Sequence, residues 1–588
     1  MRPTRSTPRG SRRGSPQLRL RVGFVVIAMA LSLFGARLVQ LQGLDPNSYA
    51  EMAAAEGLVQ VDLPAERGDI LDRNGEPLAD SVAGLMIVAD PQMTADKAPE
   101  LATFLYKRLH IDYASTLAKL REQGSRFEYI ARRVPSTLAT EVVDAAAKAG
   151  YEGLDTRRDP LRDYPAGDVA ANLVGFMGTD EPLAGLERTF DHQLSGTDGS
   201  AKYEVGGGNK IPLGENTVTE PADGQDLHTT LDLDLQWYTQ RVLRQTVEGS
   251  QAESGFAVVM DSRTGELLAV ADDPTFDSNS PTDSPKVDLG SRAMQDVYEP
   301  GSVEKVLTLS SLIDLGRVTP KTKIEVPSQL DDGGTHPIHD WFTHGTIRLT
   351  LAGVIAKSSN IGTVLASKKF HDGELRSYLE SFGLGQRTDI GVRGETPGIL
   401  PDDSLWTPQT QDRIAFGQSL SVNAVQMAAA VNTIANDGVR VSPTLIQGSA
   451  TTEDGELVGT DHATRHRVIS AAAARQTAHM MERVVDPDVG VAPAAAVPGY
   501  RVAGKTGTAQ RVGAECGCYD GTFTVSFAGF APADDPRFTI YVVVQNPGNG
   551  GGGGSVAGPA FAKIMSYALR RYAVPPTGTP PSRLPVEW

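Results

Sequence analysis

The sequence predicts a mixed α+β protein held on a single N-terminal membrane-spanning helix. Three observations carry that prediction. Fifteen uncharged residues, Val22 to Ala36, follow a start rich in arginine. Apolar runs with strand character stand at both ends of the second half of the chain, at Phe256–Asp273, Arg501–Gln510 and Arg537–Pro547, with helical patterns between them. That arrangement implies one sheet of distant segments packed by helices. The 588 residues also exceed what one core organises, and Val205–Gly224, rich in Gly, Pro and polar residues, interrupts the periodicity where a domain boundary belongs.

The first 21 residues hold seven arginines and no acid. The apolar run continues past Arg37 to Leu41, twenty residues from Val22. A helix of that length crosses a hydrocarbon core of about 30 Å. Positive residues stay inside, which makes residues 1–21 a cytoplasmic tail, 22–42 the anchor, and everything after about Gly43 external. A cleaved signal peptide is the rival reading. Phe34-Gly35-Ala36 offers only one small residue at the positions a cleavage site needs, and Arg37 follows at once. The formal charge of -17, less those seven arginines, leaves -24 on the remainder. An acidic body lacks the clustered Lys and Arg that nucleic-acid phosphates require. The apolar fraction of 40% and charged fraction of 22% are those of a folded chain.

After the anchor, Ser48–Gln60 has a helical pattern. Pro64–Ser81 reads as strand, turn, strand, with Asn74-Gly75 as the hairpin signal. Ala95 to about Gly153 alternates short amphipathic helices with strands. From Leu227 an amphipathic helix is expected, with Leu235, Tyr238, Val242 and Val247 on its buried stripe. Phe256–Asp273 is two strands joined near Gly265. Helices follow at Ser302 to about Leu315, Leu351–Lys369 and Ala424–Ala435. After the strands at Arg501–Gln510 and Arg537–Pro547 comes a last helix, about Ala557–Tyr572. The terminal PPTGTPPSRLPVEW, residues 575–588, reads as disordered from its prolines. The two cysteines, Cys516 and Cys518, form C-x-C. No zinc ligands stand near at metal spacing, and they are loop thiols or a strained disulfide.

Three short patterns bear on chemistry. In YEPGSVEK, Tyr298–Lys305, a helix beginning near Ser302 brings Lys305 onto the same face. The pair is either a nucleophile with its base or the polar start of a helix. As a base, Lys305 must be desolvated or set near other cations to lose its proton. In AKSSNIGTV, Ser358 and Asn360 flank Ser359, offering a hydroxyl to relay a proton and an amide to hold a substrate amide. Ser421-Val422-Asn423 repeats that pattern. In GKTGTAQ, Lys505 puts a cation on an edge strand, Thr506 and Thr508 share one face, and Gly507 leaves room for a substrate against the backbone.

The order S-x-x-K, S-x-N, K-T-G resembles that of penicillin-binding proteins and serine β-lactamases. The gaps, 56 residues from Ser302 to Ser358 and 147 from Ser358 to Lys505, select Ser358 over Ser421. RGDILDRNG (67–75), GLERTFDHQLSG (185–196), YEPGS (298–302), HDW (339–341) and FGQSLSVNAVQMAAA (416–430) resemble class B penicillin-binding proteins over nearly the whole chain. Among these the chain is most similar to the septal cell-division transpeptidase of the actinobacterial kind.

That resemblance implies an elongated α+β pedestal at 45–225, of the class B dimerisation type. It also implies a penicillin-binding (serine β-lactamase-like) transpeptidase domain at 226–574, with a five-stranded antiparallel sheet flanked by helices. Asp69, Asp72 and Glu187 become pedestal contacts rather than catalysts, and no glycosyltransferase domain is in view. The implied activity is a peptidoglycan D,D-transpeptidase that cross-links stem peptides through an acyl-serine. The catalytic residues are then Ser302, Lys305 and Ser358. Asn360, Lys505, Thr506, Gly507 and Thr508 bind substrate, and the backbone N–H groups of Ser302 and Thr508 form the oxyanion hole. No metal or cofactor is expected. Implied partners are stem peptides and lipid-linked precursor products, β-lactams, a membrane-embedded polytopic glycosyltransferase and other division proteins at the septum. An elongation-type transpeptidase, a carboxypeptidase or β-lactamase, and a non-enzymatic sensor or scaffold are the competing readings. Glu304 departs from the apolar residue many relatives carry before the lysine. It is expected on the side of the helix facing solvent or a basic partner.

Overall fold

A computed structural model of the chain describes residues 16–40, 58–206, 209–210, 217–331, 333, 337–388, 390–513 and 517–588. Two compact units divide it. The smaller holds helix α1, Pro16–Val39, and a sheet in which the Leu58–Leu63 strand pairs antiparallel with Gly199–Gly206, which in turn pairs with Thr217–Thr219. The stretch Gln17–Val39 is 23 residues long and apolar enough to cross a membrane. Most of the helix expected over Ser48–Gln60 lies outside the described residues, and from Leu58 onward the chain is strand instead.

In the larger unit the predicted hairpin is present as Ile70–Leu71 and Pro77–Val82, with Gly75 at φ +88° in the turn between them. A three-stranded sheet (Gly84–Ala89, Glu128–Pro135, Leu154–Arg158) carries the Ala98–Leu109 and Ser136–Lys148 helices on a separate small core. Helix α2, Leu233–Ser250, then buries Leu235, Val242 and Val247, and Tyr238 stacks on Tyr567 at 4.1 Å.

The main sheet comprises β1 (Ser254–Asp261), β2 (Leu267–Asp273), β3 (Ala503–Val512), β4 (Tyr519–Ala531) and β5 (Phe538–Gln545). Its order is β2-β1-β5-β4-β3, antiparallel throughout. Every residue of β1, β2 and β5 is buried, because helices cover the sheet. The α2 helix and the Ala557–Arg571 helix pack together on it, and the Ala424–Ala435 helix also rests on β1 and β5. A strand with two covered faces needs the continuous apolar runs that β1 and β5 carry. The K-T-G strand, β3, is one edge of the sheet, and β2 is the other.

The terminal segment corrects the expectation of disorder. Thr350 N donates to Val586 O at 3.0 Å, Thr350 Oγ1 to Pro585 O at 2.5 Å, and Trp588 Nε1 to Leu349 O at 3.1 Å. A Cβ at Gly353 would stand 1.8 Å from Val586 O. Backbone pairing and a seat cut by glycine hold a segment whose proline content says only that it forms no helix.

The suspected pedestal acids are structural. Glu187 is fully buried. Its carboxylate accepts from Arg67 Nε at 2.6 Å, Arg162 Nε at 2.7 Å and Tyr164 OH at 3.3 Å. Asp72 accepts from the backbone of Asn74 and Glu76 in the hairpin and from Leu233 N at the start of α2. Asp69 accepts from Ser81 N. Glu187 is the fully buried acid shared by Arg67 and Arg162. Without it Arg67 keeps only Asp191, at 2.5 Å, and Arg162 only the longer approach to Asp69, at 3.9 Å, and breaking such a buried pair costs about 3–5 kcal/mol. Glu187→Ala is therefore expected to bring unfolding to a clearly lower urea concentration. An unchanged midpoint would show that the cluster carries no stability.

Candidate active site

The loop before Ser302 is pinned to two neighbours. Tyr298 pairs with Val422 by two backbone hydrogen bonds, and Gly301 N donates to Gly417 O at 3.0 Å. Gly301 sits at φ +54°, and a Cβ there would lie 3.0 Å from Thr508 O and 3.1 Å from Ala509 Cβ. A side chain at 301 would thus lift Ser302 off the edge strand. A 3₁₀ turn, Gly301–Val303, leads into helix α3, Lys305–Asp314. Among the described residues Ser302 Oγ has no hydrogen-bond partner, while Lys305 points inward and is fully buried.

The continuous helix expected over Leu351–Lys369 is broken into α4, Leu351–Lys357, and α5, Asn360–Ser367. The break is Ser358, left-handed at φ +58°. It turns the hydroxyl inward, where Lys505 Nζ donates to it at 2.8 Å and Lys305 Nζ lies 3.5 Å away. Lys305 Nζ also donates to Ser358 O at 2.8 Å and Asn360 Oδ1 at 2.7 Å. An amine that spends two hydrogens on those carbonyl oxygens retains, when neutral, one lone pair for a third direction. Lys505 Nζ makes further contacts with Thr506 O at 3.0 Å and Thr506 Oγ1 at 3.2 Å.

Burial lowers the proton affinity of Lys305 to about 7, against the opposing pull of Asp340 and Glu304. Burial also holds Lys505 well below the ordinary lysine range, and the charge of Lys305 adds to that. Desolvation is what the sequence reading required of a lysine base.

A cleft of about 430 Å³ opens above these groups, walled by Ser302, Ser358, Asn360, Thr506 and Thr508. The structure thus brings together the predicted residues, with Lys305 and Lys505 beneath the floor. Gly507 has a different reason from the one expected. A Cβ there would meet Ser526 Oγ at 2.2 Å, Pro300 O at 3.0 Å and Val303 Cγ2 at 3.1 Å. Its bare backbone lets the turn of Ser302 close on β3 and leaves the substrate's side of the strand to its neighbours. Ser421 bridges to Ile399, and Asn423 caps the Ala424–Ala435 helix through Gln426 N, so the repeated S-x-N is structural.

Sequence reasoning gave no role to Asp340 of the HDW motif. Asp340 accepts from Ser359 Oγ at 2.7 Å, Ile361 N at 3.0 Å and His344 Nε2 at 3.1 Å. His339 O accepts from Asn360 Nδ2, and Trp341 Nε1 donates to Lys357 O. Three consecutive residues clamp the S-x-N loop. The only signal was the proximity of an acid to a motif whose partners are 19 residues away in sequence. Cys518 is disulfide-bonded, and Cys516 lies outside the described residues.

Glu304 faces inward, not toward solvent: it is fully buried. Thr308 Oγ1 lies 2.8 and 2.9 Å from its two carboxyl oxygens and 3.0 Å from Ala415 O. One hydroxyl hydrogen cannot serve three acceptors. A protonated Glu304 resolves this by donating to Thr308 Oγ1, which donates onward to Ala415 O. Burial accordingly raises the Glu304 carboxyl well above its usual range.

Residues 255–566 match the family described as the penicillin binding protein transpeptidase domain, and residues 62–182 the penicillin-binding protein dimerisation domain. The chain is 35% identical to penicillin-binding protein PbpB of Mycolicibacterium smegmatis, over 98% of this chain and 94% of that one. It is 32% identical to peptidoglycan D,D-transpeptidase FtsI of Escherichia coli, over 94% and 91%. Among solved structures it is similar to penicillin binding protein 3 of Mycobacterium tuberculosis complexed with aztreonam. That likeness has a TM-score of 0.69 and 32% identity, covering 90% of this chain and all of that one.

The raised Glu304 carboxyl gives a stability prediction. A carboxyl whose folded pKa exceeds its unfolded value contributes nothing adverse while protonated, and costs stability as pH rises past the unfolded value of about 4.3. Glu304→Gln keeps the hydrogen bond to Thr308 without that cost. Its Tm is expected to exceed wild type at pH 8 and to converge with it near pH 4. A lower Tm at pH 8 would mean that Glu304 is held ionised.

Proposed function

Because the chain belongs to the class B penicillin-binding proteins, with a dimerisation domain followed by a transpeptidase domain, we propose that it is a peptidoglycan D,D-transpeptidase of septal cell-wall synthesis and a target of β-lactams. The observation that carries this reading is the hydrogen-bonded run Lys505–Ser358–Lys305 beneath a cleft that opens on Ser302.

Ser302 Oγ attacks the carbonyl of the penultimate D-Ala of a stem peptide, and its proton passes to neutral Lys305. The tetrahedral oxyanion is received by the backbone N–H groups of Ser302 and Thr508, typically about 3–4 kcal/mol per donor. The proton then travels through Ser358 to the amine of the departing D-Ala as the C–N bond breaks. Thr506 and Thr508, with Lys505 behind them, hold that residue's carboxylate, and Asn360 holds the donor amide. The amine of a second stem peptide attacks the ester, returns a proton along the same route, and frees Ser302. A β-lactam presents the same carbonyl and carboxylate but keeps its leaving group tethered, which favours a long-lived acyl-enzyme.

The arginine-rich start and the apolar α1 support a single-pass anchor with the N-terminus cytoplasmic and the cleft outside, at the division septum. Family membership supports, as partners, a polytopic membrane glycosyltransferase and other division proteins. Boundaries of 22–42 for the anchor, 45–225 for the pedestal and 226–574 for the catalytic domain fit this division of labour.

A fluorescent penicillin tests the reading. Wild type is expected to become covalently labelled and Ser302→Ala to remain unlabelled; an unlabelled wild type contradicts it. With Lys305 titrating at about 7 and acting only when neutral, the acylation rate constant rises about tenfold from pH 6 to pH 8. A flat profile would remove Lys305 as the base.

A further inference from the structure

Cross-linking brings two peptides to one acyl carbon, and the cleft has an extension for each. On the side of Asn360, Gln418 and Gln510 it adjoins a polar cavity of about 980 Å³. On the other side, past Trp341 and Val491, it adjoins a second cavity of about 910 Å³. These two residues wall both spaces. We infer that the second cavity is the subsite for the acceptor stem peptide, an inference that rests on the transpeptidase reading above.

The direction of the chemistry distinguishes the two extensions. The acylated donor remains attached to Ser302, with its amide toward Asn360, so its stem occupies the Asn360 side. The departing D-Ala leaves from the side of Thr506 and Thr508, and the acceptor amine must take the position that its nitrogen vacates. An acceptor therefore enters past Trp341 and Val491, which line the second cavity and have no part in the cavity beside Asn360.

The cavity's chemistry fits a peptide that carries an amine and free carboxylates. Arg348 and Lys357 line it, and neither has a carboxylate within 4.0 Å among the described residues, in a chain whose formal charge is -17. Glu325 and Glu587 line the same space and can take the amine before it moves to the acyl carbon. Trp341, 68% exposed, and Trp588, 44% exposed, supply flat apolar faces for the peptide's methyl groups. Both rings are fixed rather than free. Trp341 is held by Lys357 O. Trp588 is held by Leu349 O, with Lys323 Nζ 4.5 Å and Arg348 Cζ 5.4 Å from its ring centre. Fixed aromatic side chains lose little entropy on binding. The C-terminal segment thus has a use: it builds one wall of the cavity.

The test separates acylation from transfer. Full-length wild type, Arg348→Ala and Trp588→Ala are each given a small thioester donor and a stem tetrapeptide as acceptor, and the ratio of cross-linked product to hydrolysed donor is followed against acceptor concentration. The expected result is that both variants take fluorescent penicillin and hydrolyse the thioester within twofold of wild type, while the acceptor concentration giving half-maximal transfer rises at least tenfold. An acceptor with its carboxylates amidated should lose the Arg348 effect and keep the Trp588 effect. Variants with an unchanged transfer ratio, or with penicillin acylation reduced as much as transfer, would overturn the subsite. A wild type that penicillin does not acylate would instead overturn the underlying activity.

Discussion

Two lysine side chains are buried within reach of one serine hydroxyl, and the rest of the catalytic domain is arranged around that constraint. An ammonium ion sealed from water is costly, and two facing one hydroxyl are worse. The protein meets the cost by letting the amines give up protons. Lys305 and Lys505 are both pushed below the ordinary lysine range by burial, and Ser358 lies between them with a hydrogen bond to Lys505 and a longer approach to Lys305. What is unfavourable for stability is what makes a lysine basic at neutral pH. Glu304 obeys the same rule from the other direction: sealed beside Lys305, it is best hydrogen-bonded as an acid.

Holding this cluster takes segments far apart in the chain. Gly301 allows the serine turn to close on the edge strand, Gly417 lets its own loop lie against the Gly301 backbone, and Gly507 clears the strand on its side of the first contact. Asp340 ties the S-x-N loop to the HDW segment through Ser359 and Ile361. The left-handed Ser358 breaks one helix into two, so that a hydroxyl faces inward where a regular helix would have carried it past. The main sheet supplies a covered, rigid platform and leaves one edge, β3, for an extended peptide.

Much of this was legible in the sequence. Binary patterning located the β1–β2 hairpin, the edge strand and the buried stripe of α2, because burial on one or both faces dictates those patterns. The order and gaps of three motifs named Ser302, Lys305, Ser358, Asn360 and Lys505, which the fold brings together at one cleft. What was missed depends on contacts between distant segments. Nothing local to SVEK reveals that Glu304 is buried against Thr308, whose hydroxyl also reaches the Ala415 carbonyl. Nothing in DW reveals that Asp340 receives Ser359. The apolar run Leu351–Lys369 reads as one helix because a backbone reversal at Ser358 leaves no mark on periodicity. Proline content marked residues 575–588 as non-helical, and non-helical was taken for disordered; the pairing of Val586 and Trp588 with the Leu349–Thr350 backbone depends on a glycine seat more than two hundred residues earlier.

Burial beside Ser358 and Lys505 leaves Lys305 largely neutral at physiological pH. Nuclear magnetic resonance of protein labelled with carbon-13 at lysine Cε, with Lys305 assigned by its loss in Lys305→Arg, reads that charge directly. The Lys305 signal is expected to titrate with a midpoint of about 7. A midpoint in the ordinary lysine range, near 10.4, would show Lys305 charged at neutral pH and require another base for Ser302.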